Sequence, residues 1–385
     1  MAKDKVSKGE KNIGTVNSKD VFAKLLKDTE EDHFVFVQPT LRKISTGSLL
    51  LDSLTKVYSG NLITLRARGA ELGKTSQAFV FASNYMKEMP KSKTIYIKCE
   101  ARLSPEMQSR SRHNFVFSAE DWNYGDTFVF PCNIFETIAK TLETLLAAMH
   151  AQGEHLCIIF DSLDHAILRQ DYGQNKDVWS GKDSPKVAGV PVLFKLMMKR
   201  FALPLESYSG LLIVITQYTA EIKLDPYSRE PKRQGAGGGG NNLNHVSSLT
   251  LTYQPRVQAD LILENPNEKP DSIKNKTLGV YASVEITKAS GGEVTGTKIK
   301  IPIKRGRIGS QIWVEKEIVD CCLAYEILSR SGAWYKFAPE FVNQAKVEGI
   351  ELVESHQGMN TVYEYVESNP EVFKWLYVKF TEIIS

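Results

Sequence analysis

Leu62-Ile63-Thr64-Leu65-Arg66-Ala67-Arg68-Gly69-Ala70-Glu71-Leu72-Gly73-Lys74-Thr75 decides how the rest of the chain is read. Its first six residues are a short, mostly apolar run of strand character, and the turn after it opens onto a helical pattern at 75–86. A strand, a glycine-bearing turn and a helix in that order form a phosphate cradle. Backbone N–H groups of the turn converge on a phosphate, the helix presents its positive end, Lys74 reaches the β- and γ-phosphates, and the Thr75 hydroxyl holds Mg2+. Gly69, Ala70, Glu71, Leu72, Gly73, Lys74, Thr75 and Ser76 are therefore candidate nucleotide-binding residues. Arg68 stands where the pattern G-x-x-x-x-G-K-S/T has its first glycine. Either Gly69 takes that role in a tightened loop, or Arg68 occupies a strained site.

Outward from this stretch, short apolar runs alternate with amphipathic ones, the signature of strands joined by crossover helices in a largely parallel sheet. Further strands are expected at 94–99, 156–161, 211–216, 258–263, 280–287 and 298–303, and helices at 134–150 and 192–205. The fold class is α/β. Residues 1–37 read as a polar, Lys-rich arm followed by a helix from Ser18 and a strand around Phe34-Val35-Phe36-Val37. An isolated helix and strand cannot bury their own apolar faces, so this segment must pack on its own core or on a neighbouring copy. Residues 38–313 read as the core. Residues 314–385, a helix over 314–331 followed by Ser331-Gly332-Ala333-Trp334-Tyr335 and a polar helical stretch, read as a small C-terminal domain.

A length of 385 residues, with 42% hydrophobic and 24% charged residues, excludes a single small module and wholesale disorder. No run approaches the roughly 18 consecutive apolar residues of a membrane span. A soluble, cytoplasmic protein without a membrane partner is the expectation. Five cysteines without a C-x-x-C pair fit reduced thiols better than a disulfide framework. The net charge of +3 argues nothing for nucleic acid, but six basic residues and one acidic one lie between Lys288 and Arg307. That run is either a polyanion contact or a solvated sheet edge.

Three more strand ends carry chemistry. The run Leu156-Cys157-Ile158-Ile159-Phe160 ends in Asp161-Ser162, as expected of an acid placed near Mg2+ beside a phosphate loop. Glu100 and Gln217 follow strands that would emerge at the same sheet edge, one to activate water and the other to contact the γ-phosphate. The stretches 179–189 and 218–244 leave that edge as loops. Their glycines, lysines and arginines suit sequence-independent contact with single-stranded nucleic acid. The candidate contacts are Lys182, Lys186, Val187, Ala188 and Gly189 in the first stretch, and Ile222, Lys232, Arg233, Gly238, Gly239, Gly240 and Asn241 in the second.

Ile44-Ser45-Thr46-Gly47-Ser48-Leu49-Leu50-Leu51-Asp52-Ser53-Leu54 resembles the stretch that opens the core of RecA-type recombinases. The resemblance continues through the phosphate loop, Glu100, Asp161-Ser162, Gln217 and the glycines at 237–240, and resumes at Ser331-Gly332-Ala333-Trp334-Tyr335 and Asn369-Pro370-Glu371. In the looseness of its late motifs the chain is most similar to bacteriophage recombinases of the UvsX kind. The resemblance implies a RecA-like ATPase core with an N-terminal polymerisation arm. It also implies ATP and Mg2+ as cofactors, and a helical filament on single-stranded DNA that exchanges strands with homologous duplex DNA. Lys74, Glu100 and Gln217 would be catalytic, and Thr75 and Asp161 the Mg2+ ligands. Met107 lies near where an aromatic residue stacks on adenine. Arg200 falls at a DNA-contacting arginine, and Lys288 where a lysine reaches a neighbour's ATP. A single-strand-binding protein and a loader are expected partners, and a host-cell cytoplasm the location if a phage encodes the chain. Lys98 and Ser290 replace an acid and a second lysine of the family pattern. A hexameric helicase, and a DNA-coating filament with little turnover, are the alternative readings.

Overall fold

The computed structural model describes residues 39–69, 71–100, 103–172, 189–218, 239–270, 273–290 and 293–384, with helical positions at Ser18, Lys19 and Lys24. The chain divides into two units, Met1–Pro39 and Thr40–Ser385. Apart from those three positions, the expected arm and its strand lie outside the described residues. The remainder of this section concerns the second unit.

In chain order, α1 (Leu49–Leu54) leads into β1 (Leu62–Ala67), which is followed by α2 (Lys74–Glu88) and β2 (Ser92–Lys98). Next come α3 (Pro105–Ser111), β3 (Asn114–Val116), β4 (Asp126–Phe130), α4 (Phe135–Ala151) and β5 (His155–Asp161). A 3-10 turn, Leu163–His165, and α5 (Arg169–Tyr172) precede α6 (Gly189–Ser207) and β6 (Leu211–Gln217). The second half runs α7 (Gly240–Val246), β7 (Leu249–Tyr253), β8 (Leu261–Leu263), β9 (Thr277–Ala289) and β10 (Lys298–Lys304).

Among the described residues these strands form one sheet in the order β10-β9-β7-β1-β6-β5-β2-β4-β3, with β8 pairing β9. The neighbours from β7 to β3 pair in parallel, and β9 pairs antiparallel with β7, β8 and β10. All six residues of β1 are buried, because both faces of the sheet are covered. Ile63, Leu65 and Ala67 share one apolar cluster with Phe79, Phe81 and Tyr85 of α2. Leu62 belongs to the opposite cluster, with Phe135 and Leu142 of α4 and Phe194 and Phe201 of α6. The largely parallel α/β expectation is thus met, and β1 lies between β6 and β7, so its carboxyl end opens where neighbouring chains diverge.

Several boundaries differ from the sequence reading. Leu249–Tyr253, a central strand paired with β1, lies where no strand is expected from the sequence. Its Thr-rich alternation conceals a strand buried on both faces. Of residues 258–263, the first half is a 3-10 turn and only Leu261–Leu263 form the short β8. The second loop stretch ends earlier than 244, since α7 starts at Gly240.

Beyond the sheet, α8 (Val314–Ala324) stops well before residue 331, and a hairpin follows, β11 (Leu328–Ser331) with β12 (Trp334–Phe337). Then come α9 (Pro339–Val347), β13 (Ser355–Gln357), α10 (Met359–Ser368) and α11 (Pro370–Ile384). These elements bury a third cluster that includes Ile318, Phe337, Val362, Leu376 and Phe380. It joins α1 through Glu317, whose carboxylate accepts from the Ser48 hydroxyl at 2.5 Å and from the Leu49 N–H at 2.7 Å. Among the described residues no helix is long and apolar enough to cross a membrane.

Candidate functional site

The turn between β1 and α2 places its conformational demand on neither Arg68 nor Gly69. Among the described residues of the turn, Glu71 (φ 56°) and Gly73 (φ 96°) are the left-handed ones. Arg68 therefore does not occupy the strained site considered for it, and Gly69 does not replace it. The Arg68 N–H donates to the Tyr253 carbonyl at 3.1 Å, and its guanidinium lies 5.7 Å from the Tyr218 ring centre. Arg66, buried on β1, lies 5.8 Å from that ring. Leu72 turns into the apolar cluster, so it props the turn from beneath. Ala70 lies outside the described residues. Gly73 caps α2, which begins at the buried Lys74.

The Thr75 hydroxyl donates to Asp161 Oδ2 at 2.8 Å, and the Tyr96 hydroxyl donates to the same oxygen at 2.9 Å. Burial pushes the Asp161 carboxyl up, while hydrogen bonds from Thr75 and Tyr96 and the charge of Lys74 pull it down. An alcohol and a carboxylate side by side are hard oxygen donors that suit Mg2+, which takes one or two protein ligands and completes its shell with water and phosphate. A cage of three or more His, Cys, Asp or Glu side chains is absent among the described residues, and such a Mg2+ site requires none.

Glu100 lies two residues beyond the end of β2 with its side chain largely buried. Ser162 Oγ donates to Glu100 Oε1 at 2.6 Å, and His165 Nδ1 lies 2.8 Å from that oxygen and 2.9 Å from Ser162 Oγ. The next residue along the chain from Asp161 thus touches Glu100, which brings the candidate metal ligand and the candidate base to one edge. Gln217 ends β6 in register with Ala67 of β1, and its N–H donates to Asp164 Oδ2 at 2.7 Å.

Ser76 and Met107 line one cavity of about 320 Å³, together with Ser83, Arg112, Ser310 and Gln311. It runs along α2 from Ser76 to Lys87, with Met107 of α3 on its wall. Lys288 Nζ donates to the carbonyls of Asn244 and His245 at 2.8 Å each, tying the end of α7 to β9 within its own chain. The basic run around it belongs to the sheet edge. Lys300 pairs with Asp260, Lys304 with Glu367 and Arg307 with Glu315. Folding thus engages most of that run in contacts within the chain, as expected of a sheet edge.

Of the residues expected to meet DNA, Lys182, Lys186, Val187, Ala188, Ile222, Lys232, Arg233 and Gly238 lie outside the described residues. Gly189 begins α6, and Gly239, Gly240 and Asn241 lie at the start of α7. A Cβ on Gly240 would lie 3.4 Å from Pro191, so the two stretches re-enter the core side by side. Arg200 is exposed on α6 and pairs with Glu143 at 2.8 Å. Tyr96, Asp164 and His165 were not among the candidates, and Ser162 was named only as part of the Asp161-Ser162 motif. Tyr96 is indistinguishable from core strand sequence, and the other three acquire partners only when β2, β5 and β6 lie side by side.

No family model matches the chain. Over 138 residues it is 28% identical to protein RecA of Macrococcus caseolyticus, a stretch of 31% of this chain and 35% of that protein. Over 135 residues it is 26% identical to protein RecA of Francisella philomiragia, 30% of this chain and 37% of the relative. Protein RecA of Francisella tularensis is 23% identical over 135 residues, with the same shares. The chain thus spans little more than a third of the length of the curated relatives it matches. This similarity, together with the mostly parallel sheet, supports a relation to the RecA proteins.

Proposed function

We propose that this chain is an ATP-dependent strand-exchange recombinase that forms helical filaments on single-stranded DNA, most like the UvsX-type recombinases of bacteriophages. The observation that carries the reading is the convergence of Lys74, Thr75, Asp161 and Glu100 on one sheet edge, where the two candidate DNA stretches also start or end. In this reading 1–37 is a polymerisation arm, 38–313 an ATPase core and 314–385 a C-terminal domain. The partners are single-stranded and homologous duplex DNA, further copies of the chain, a single-strand-binding protein and a loader, in the cytoplasm.

The turn 69–75 grips the triphosphate, and Lys74 neutralises charge that builds on the β- and γ-phosphates. Thr75 and Asp161 would hold Mg2+, whose positive charge would offset the negative charge that develops on the phosphates. Glu100 takes a proton from the attacking water, and Gln217 senses the γ-phosphate at the start of the second DNA stretch. The cavity beside Met107 receives the base. Lys288 is proposed to reach a neighbour's ATP in the filament, which requires it to leave the carbonyls it holds in the single chain.

Hydrolysis measured with and without single-stranded oligonucleotide tests the reading. A rate that rises with DNA and disappears in Lys74→Ala is the expected result. A DNA-independent ATPase that forms no filaments overturns it, and closed rings in electron micrographs would assign a helicase instead.

A further inference from the structure

Nothing in the proposed chemistry uses the 3-10 turn Leu163–His165, yet its three side chains touch three different parts of the site. His165 Nδ1 lies within hydrogen-bond distance of both Glu100 Oε1 and Ser162 Oγ. Ser162 has a single hydroxyl proton and directs it to Glu100, so the Nδ1 contact requires the proton to be on the imidazole. Glu100 Oε1 thus receives two donors, which fix the plane of the carboxylate. Asp164 accepts the Gln217 N–H at 2.7 Å and the Thr216 hydroxyl at 3.3 Å, so it holds the end of β6. Leu163 is fully buried, and a Cβ on Gly239 would come within 3.1 Å of its Cδ2. One short turn therefore contacts the water-activating carboxylate, the residue where the second DNA stretch leaves the sheet, and the residue where that stretch returns.

We propose that His165 and Asp164 are positioning residues, with His165 aiming the Glu100 carboxylate and Asp164 linking that aim to the strand end at Gln217. The inference rests on the reading of Glu100 as the base for ATP hydrolysis. When the chain on either side of the 218–239 stretch shifts, the turn shifts with it, and Glu100 follows through Ser162 and His165. A displacement of about 1 Å at a reacting group is enough to cost up to about a hundredfold in rate, so a small movement suffices.

The test uses the full chain, ATP and a single-stranded oligonucleotide. His165→Ala is expected to lower kcat by about tenfold or more while KM for ATP stays within about twofold, because the aim of a base is felt in the transition state and not in ground-state binding. His165→Asn, which places an amide N–H near the position of Nδ1, is expected to recover most of kcat. Asp164→Ala is expected to reduce the ratio of DNA-stimulated to DNA-free hydrolysis, with oligonucleotide affinity retained. An unchanged kcat in His165→Ala, equal losses in the Ala and Asn variants, or an unaltered stimulation ratio in Asp164→Ala overturns the proposal while the recombinase reading stands. A wild-type chain that binds no ATP or does not hydrolyse it defeats that reading, and this inference with it.

Discussion

Asp161 Oδ2 accepts two hydroxyl groups, one from the phosphate-turn helix and one from the neighbouring strand, and each serves a different end. Thr75 shares the expected metal position, whereas Tyr96 only orients the carboxylate and offsets its burial. Tyr96→Phe keeps the ring packing against Phe79 and removes that donor. Mg2+-dependent nucleotide affinity should fall by about tenfold, the usual scale for a residue supporting a metal ligand, with far-UV circular dichroism unchanged. Fluorescent-nucleotide titrations at several Mg2+ concentrations check this. Gly73 poses a purely conformational demand, since no atom lies within 4 Å of where a Cβ would sit. Gly73→Ala should therefore cost about 1–2 kcal/mol in denaturant unfolding, the penalty of a left-handed backbone, and not the larger penalty of a clash.

At the scale of elements, the stretch 44–54 turns out to hold α1 against α2. Asp52 accepts from the Ser45 hydroxyl and the Thr46 N–H, Gln77 Nε2 donates to the Thr46 carbonyl at 2.6 Å, and Asn84 Nδ2 donates to the Ser45 carbonyl at 2.9 Å. Gln77→Ala leaves a buried carbonyl without its donor and should cost about 1–3 kcal/mol, measured by chemical denaturation. The edge pair β9–β10 has a harder constraint, because a Cβ at Gly279 would meet the Ile303 carbonyl oxygen at 2.2 Å. Backbone cannot retreat there without breaking the ladder, so Gly279→Ala should destabilise the fold more than Gly73→Ala in the same assay.

At the scale of the molecule, Glu317 joins the C-terminal elements to α1 and is almost wholly buried. Burial pushes its carboxyl from an ordinary 4.5 up to about 7, with the donors Ser48 and Leu49 acting in the opposite sense. A folded-state value above the unfolded one means that the folded chain holds a proton the unfolded chain has lost. The contribution of this group to stability is therefore full below about pH 4.5 and is lost as pH rises through about 7. Thermal melts between pH 5 and 8 should show that decline in the wild-type chain and a flatter profile in Glu317→Gln.

The strand–turn–helix at 62–88, the mostly parallel sheet and the placing of Lys74, Thr75, Glu100, Asp161 and Gln217 at or just beyond the ends of its strands were legible in the linear chain. Each depends on local order, namely a periodic apolar run and the polar residue that ends it. Long-range pairing was not legible. The place of Leu249–Tyr253 beside β1, the engagement of the basic run by Asp260 and Glu367, and the contact of His165 with Glu100 all join residues far apart in the chain. Such contacts arise only once the sheet has ordered its strands, because hydrogen-bond partners and burial are properties of spatial neighbours and leave no periodic trace in the sequence.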